Sequence, residues 1–225
     1  FLSWGWSGGE KVHPIGDLRC LKPNFPRRNG NRGIIINAAY PRYSYWLTSI
    51  PKASQYLDYL EDQWALYREI PQHIQDRLDV RIYMSDYGWS QEDRWKEQFP
   101  NVSIDRATTP LISRLHQIQL AIHTYNSTTL LESLFFNIPT VIYFNQDYFE
   151  IRDEVKPFFL KLRNVGIFHE TPKSAAKHIG TVWSDINLWW LRSDLQEIRE
   201  EFCHRYIRQI TKPAKQLESA LKPFL

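Results

Sequence analysis

"HTYNSTTLLES", residues 123–133, lies between an apolar run ending at Thr124 and a second one, "LFFNIPTVIYF", at 134–144. Reading it decides the fold. Residues 120–124, "LAIHT", make a short buried strand, and the polar letters Asn126-Ser127-Thr128-Thr129 break it. Ser and Thr favour helix starts because their hydroxyls meet backbone N–H groups that have no intrahelical partner. The apolar residues after them predict a helix to about Phe136, and "PTVIYF" at 139–144 predicts another strand. A strand, a polar turn, a helix and a strand in succession make one unit of a parallel α/β domain.

The same alternation extends in both directions. Upstream, "GIIIN" (33–37), "VRIYMS" (80–85) and "VSID" (102–105) read as strands. Between them a helix is predicted over about 52–69, where Tyr56, Leu57, Leu60, Trp64 and Tyr67 recur at helical spacing. "SQEDRWKEQF" reads as a helix opened by Ser90, and "TPLISRLHQI" as a helix capped by Thr109. Downstream, "IFH" is a brief strand, and "TPKSAAKHIGTVW" a helix with Thr171 as cap and Pro172 at its first position. From about residue 186 the chain reads as helical, with a break near Lys212-Pro213. The fold class is therefore α/β: a doubly wound, Rossmann-like parallel sheet of about six strands in the order 3-2-1-4-5-6, followed by C-terminal helices. Residues 1–32 read as a connector rich in Gly, Pro and Asn, 33–184 as the Rossmann-like domain, and 185–225 as the C-terminal helices.

Composition narrows the function. The 225 residues suffice for a substantial core, and 43% hydrophobic with 24% charged residues is ordinary for a globular protein. A formal charge of +3 is too small to point to nucleic acid. Nine Trp and 15% aromatic residues leave aromatic surface for a ligand or partner. Two cysteines, Cys20 and Cys203, make no disulfide framework and suit a reducing compartment. No window reaches 18 apolar residues, so no membrane span is expected. The seven histidines show no metal-ligand spacing, and neither a Walker loop nor a Gly-x-Ser-x-Gly elbow is present. The sequence opens with Phe1 and its only Met is Met84, which reads as a piece of a longer protein with apolar surface bare near its first residues.

In a doubly wound sheet ligands sit beyond the carboxyl ends of the strands, where the opening stretch falls. There Asn126, Ser127, Thr128 and Thr129 present amides and hydroxyls to a phosphate, with the helix dipole adding positive potential. Glu132, one turn further, is placed to accept hydrogen bonds from a ribose diol. An ordinary N-cap followed by a mid-helix Glu accounts for the same letters. His123 reads as a satisfied core histidine. Tyr87 and Trp89 read as packing residues rather than a border for the base, and Asp105 and Arg106 follow a strand where base-edge contacts arise.

The order of these features, with Glu132 seven residues before Pro139, resembles the C-terminal donor-binding half of GT-B glycosyltransferases. The stretch from Thr124 to Ile179 is similar to transferases of bacterial O-antigen, lipopolysaccharide and capsule biosynthesis, and the likeness runs from about residue 33 to 210. Asn137 departs from it, standing where many relatives have Gly, and no Gly-rich loop precedes the Ser/Thr turn. The resemblance implies a nucleotide-sugar-dependent glycosyltransferase building surface polysaccharide. Its substrates would be a nucleotide sugar and a glycan or lipid-linked acceptor, with no cofactor and no metal required. It implies that Asn145 and Gln146 face the sugar or pyrophosphate, and that Tyr40 and Arg42 meet donor phosphate or acceptor at the interdomain cleft. The general base would belong to an N-terminal domain of the same protein, and this half alone is expected to be inactive. Localisation would be cytoplasmic, with peripheral attachment at the inner membrane face as an option. A nucleotide-sugar epimerase of the same fold and a non-catalytic scaffolding domain are the alternatives.

Overall fold

A computed structural model of the chain describes residues 1–18, 30–43, 50–115 and 117–222. Two short strands, β1 (Leu2–Ser3) and β2 (His13–Pro14), pair in parallel near the start. The domain proper begins with β3 (Arg32–Ile36), followed by α1 (Gln55–Glu69), α2 (Gln72–Gln75), β4 (Leu78–Arg81), α3 (Gln91–Gln98) and β5 (Ser103–Asp105). Then come α4 (Leu111–Leu115), β6 (Ile118–His123), α5 (Thr128–Phe135), β7 (Thr140–Tyr143), α6 (Lys156–Asn164), β8 (Phe168–His169) and α7 (Pro172–Val182). A 3-10 turn at Trp183–Asp185 leads into α8 (Ile186–Trp190), α9 (Ser193–Tyr206) and α10 (Pro213–Leu221).

Six strands form one sheet in the order β5-β4-β3-β6-β7-β8, every pair parallel. Numbered along the chain, that is the expected 3-2-1-4-5-6. Right-handed crossovers leaving the centre in opposite directions put their helices on opposite faces. Accordingly α1 packs on α7, and Tyr67 of α1 meets Trp95 of α3 edge-on; α5 and α6 pack together with α9. Both faces are covered, so the middles of the central strands are apolar: Ile34, Ile35, Leu120, Ala121, Ile122, Val141 and Ile142 are all fully buried.

The terminal aromatics belong to this core. Trp189 donates its indole N–H to the Val165 carbonyl at 2.9 Å, and Phe202 meets Phe159 edge-on. The first 18 residues, read as part of a connector, dock on the end of α9: Arg208 N–H donates to the Trp4 carbonyl at 2.7 Å. Gly16, with φ +112°, is needed there because a Cβ would lie 2.4 Å from the Arg208 carbonyl. Phe1 is 74% exposed, and Trp4 and Trp6 are half-buried.

Three local readings need correction. Ser90 does not cap α3; it is left-handed (φ +51°) and makes no side-chain cap bond. The Asp86 carboxylate caps instead, accepting from the Ser90 and Gln91 N–H groups at 2.7 Å each. β4 runs from Leu78 and stops at Arg81, so Tyr83 and Met84 leave the sheet. The helix expected over 109–118 is only Leu111–Leu115, because the chain is already back in β6 at Ile118. Thr171 does cap α7, its hydroxyl accepting from Ser174 N–H at 3.1 Å. Cys20, Tyr45, Trp46 and His116 lie outside the described residues.

Candidate functional site

The switch point of the sheet is the gap between β3 and β6, from which the strand order runs outward both ways. β6 ends at His123, and the turn 124–127 delivers the chain into α5. Ser127 is the N-cap in extended backbone (φ −145°, ψ 166°), and its hydroxyl makes no cap bond. It lies instead 2.8 Å from the Thr129 hydroxyl. The side chains that ordinarily close a helix's first turn are thus tied to one another, leaving that turn uncapped by them. Asn126 and Thr128 are exposed, Ser127 and Thr129 partly so.

The other end of α5 explains the departure at Asn137. Ile138 N–H donates to the Ser133 carbonyl at 2.9 Å and Asn137 N–H to the Leu134 carbonyl at 3.1 Å, the paired bonds of a Schellman ending. Its left-handed residue is Asn137 (φ +53°), the position that Gly usually fills and Asn tolerates next best. The side chain adds what Gly lacks: Asn137 Oδ1 accepts from the Trp190 indole at 2.7 Å and from Gln196 at 3.2 Å.

A cleft of about 370 Å³ opens at the carboxyl ends of β3, β4, β5 and β6. Asn37, Arg81, Tyr83, Thr109, Tyr125 and Thr129 contribute to its wall. Arg81 is buried and ion-paired with Asp105 at 2.9 Å, and it also donates to the Thr109 carbonyl at 2.5 Å, which fixes the loop after β5. Tyr83 stacks on Tyr87 with centroids 5.9 Å apart and planes inclined by 20°. Sequence reasoning did not single out Asn37, Arg81, Tyr83 or Tyr125. The signal that finds them is position: Arg81 ends a strand, Asn37 directly follows one, and Tyr83 and Tyr125 lie two residues beyond one.

Thr129 lines this cleft, and Ser127 is joined to it by the hydroxyl bond. Glu132 is half-buried, one turn into α5. Tyr40 and Arg42 lie beyond the end of β3: the Tyr40 carbonyl accepts from the Trp89 indole at 2.8 Å, and the Arg42 guanidinium sits 5.3 Å from the Trp89 ring centroid. Trp89 itself packs on Tyr56 as a core residue, with centroids 4.5 Å apart. Asn145 follows β7 at the chain's next turn; its Oδ1 accepts from Asp147 N–H at 2.9 Å. Gln146 lines a different cavity, with Lys156, Arg163 and Glu170 near β8. Asp105 and Arg106 are committed to the protein, the first to Arg81 and the second to Glu92 at 2.5 Å. His123 is fully buried, with Nε2 2.9 Å from the Ser133 hydroxyl, and burial lowers its pKa to about 3. It is a core residue. Among the described residues no three His, Cys, Asp or Glu side chains are grouped to hold a metal ion, and no helix is long and apolar enough to cross a membrane.

Fold and cleft together define a doubly wound α/β domain with an open site at its switch point. The chain belongs to a transferase family: it matches the LIC12162 family transferase over residues 1–221. A solved structure of the wall teichoic acid polymerase TagF aligns with 99% of this chain and 56% of its own, at 13% identity and a TM-score of 0.47. The chain thus spans 56% of the length of that structure's chain. No curated protein matches the sequence.

Proposed function

We propose that the protein is a nucleotide-sugar-dependent glycosyltransferase of GT-B type, with this chain supplying the donor-binding half, acting in assembly of a bacterial surface polysaccharide. The observation that carries the reading is the cleft at the β3/β6 switch point, walled on one side by the uncapped first turn of α5. Transferase family membership sets the class of reaction.

In this reading the donor's diphosphate lies on the N–H groups at Thr128 and Thr129, the ribose toward Glu132, and the base along the wall formed by Tyr83 and Thr109. As the sugar leaves the nucleotide, negative charge accumulates on the departing phosphate oxygen. Fixed N–H dipoles at a helix start stabilise that charge without reorganising, so this half contributes electrostatic leaving-group stabilisation. The base that deprotonates the acceptor hydroxyl would come from the acceptor-binding half of the full-length enzyme.

A thermal-shift screen of CDP, UDP, GDP and their sugar conjugates tests the proposal. A ligand at 100 times its Kd stabilises the folded state by about 2.7 kcal/mol. For a chain of this length that raises Tm by roughly 5–10 °C. One base should give that shift. No shift with any of them would remove the donor-binding reading.

A further inference from the structure

We propose that the Asn37 side-chain amide donates a hydrogen bond to a phosphate oxygen of the bound nucleotide, an assignment that rests on the donor-binding reading above. Asn37 follows the last residue of β3, and its backbone N–H donates to the Arg81 carbonyl at 3.0 Å, which fixes it at the strand end. It is only 3% exposed and lines the cleft. Its Oδ1 lies 3.4 Å from the Thr124 hydroxyl, whose proton goes to the nearer Ile36 carbonyl at 2.8 Å, and its Nδ2 has no hydrogen-bond partner among the described residues. Buried side-chain donors are almost always satisfied, so an open one in the wall of a cleft marks a contact that a ligand completes.

The surroundings select the ligand group. Ile36 is paired in register with His123, so Asn37 stands beside the turn that enters α5. The start of that helix carries partial positive charge. No carboxylate lines the cleft among the described residues, and its one cation, Arg81, already faces Asp105. A donor next to a positive helix end, with no competing anion, is matched by an anionic acceptor such as a phosphate oxygen.

Calorimetric titration tests this with whichever of CDP, UDP or GDP the wild-type protein binds, and with the matching nucleoside, which lacks phosphate. Asn37→Ala should weaken diphosphate binding about 10-fold, as loss of one hydrogen bond does, and leave the nucleoside unchanged. Asn37→Asp keeps the shape but sets a carboxylate against the phosphate, and should weaken binding by more than the Ala variant. Because Asn37 is buried, a second measurement uses the wild-type chain: its side-chain NH2 resonance should shift on adding the diphosphate and stay in place with the nucleoside. Unchanged diphosphate affinity in both variants would overturn the assignment. So would tighter binding by Asn37→Asp, because Asn37 would then be accepting from a ligand hydroxyl. A wild-type protein that binds none of the three diphosphates would instead remove the donor-binding reading itself.

Discussion

The Tyr59 hydroxyl on α1 stands 2.8 Å from the Thr124 hydroxyl at the end of β6. It also accepts the Ala38 N–H at 2.8 Å, while Thr124 donates on to the Ile36 carbonyl at 2.8 Å. One phenol therefore pins together the carboxyl ends of the two strands that flank the switch point.

Tyr59→Phe keeps the ring and removes the pin, leaving a buried Ala38 N–H without its partner. The cost of an unmet buried donor is ~1–3 kcal/mol. Urea unfolding should show a lower midpoint at unchanged slope, since the exposed area on unfolding hardly changes. A variant as stable as the wild type would mean that another group satisfies Ala38.

At Asn137 two effects oppose each other and can be ranked. Gly fits the left-handed backbone but lacks the side-chain oxygen that accepts from Trp190 and Gln196; Ala lacks it too and is strained as well, by ~1–2 kcal/mol. Stability should fall in the order Asn, Gly, Ala. If Gly proved the most stable, the side-chain bonds to α8 and α9 would contribute nothing net.

The buried His123 makes stability depend on pH. Its pKa is about 3 when folded, against 6.5 as the ordinary value. Between those values the unfolded chain holds a proton that the folded chain refuses, so its contribution is complete above about pH 6.5 and declines toward pH 3. From pH 7 to pH 5 the loss is ~2 kcal/mol. His178, lowered to about 4 by burial, and His169, lowered for the same reason, act in the same direction. His123→Gln should flatten the decline in unfolding free energy measured at the two pH values. Identical slopes would mean that the imidazole is protonated in the folded protein.

Glu132→Gln preserves size but weakens a charge-assisted hydrogen bond of the kind that contributes ~1.5–3 kcal/mol. Under the proposed donor-binding role, affinity for the nucleoside diphosphate should drop roughly 10- to 100-fold. Thr128→Ala should do less, because the backbone N–H groups remain. Titration that finds the Glu132 variant unimpaired would take this residue out of the site.

Strand order was legible because each β-branched run alternates with a helix-period run, and parallel connectivity leaves few arrangements. Thr171 was legible as a cap because nothing nearby competes for the Ser174 N–H. Ser90 misled because Asp86, four residues earlier, reaches the same N–H groups with a full charge. "IYMS" reads as strand by propensity, yet β5, the edge partner of β4, ends at Asp105, so the chain has no ladder to continue and turns Tyr83 toward the cleft. The α5 turn was legible from its Ser and Thr residues. The opposite wall was not, because a lone Asn37 or Arg81 at a strand end looks like any polar strand terminus until tertiary structure buries it. Gln146, whose place at the sugar was implied by the resemblance and not by its polar loop, lines the cavity beside β8.

The most direct test is an X-ray structure with the nucleoside diphosphate that titration selects. The proposed donor site predicts the diphosphate within hydrogen-bond distance of the Thr128 and Thr129 N–H groups and of Asn37 Nδ2, with the ribose toward Glu132. Diphosphate bound instead among Gln146, Lys156 and Arg163, with the first turn of α5 facing only water, would contradict it.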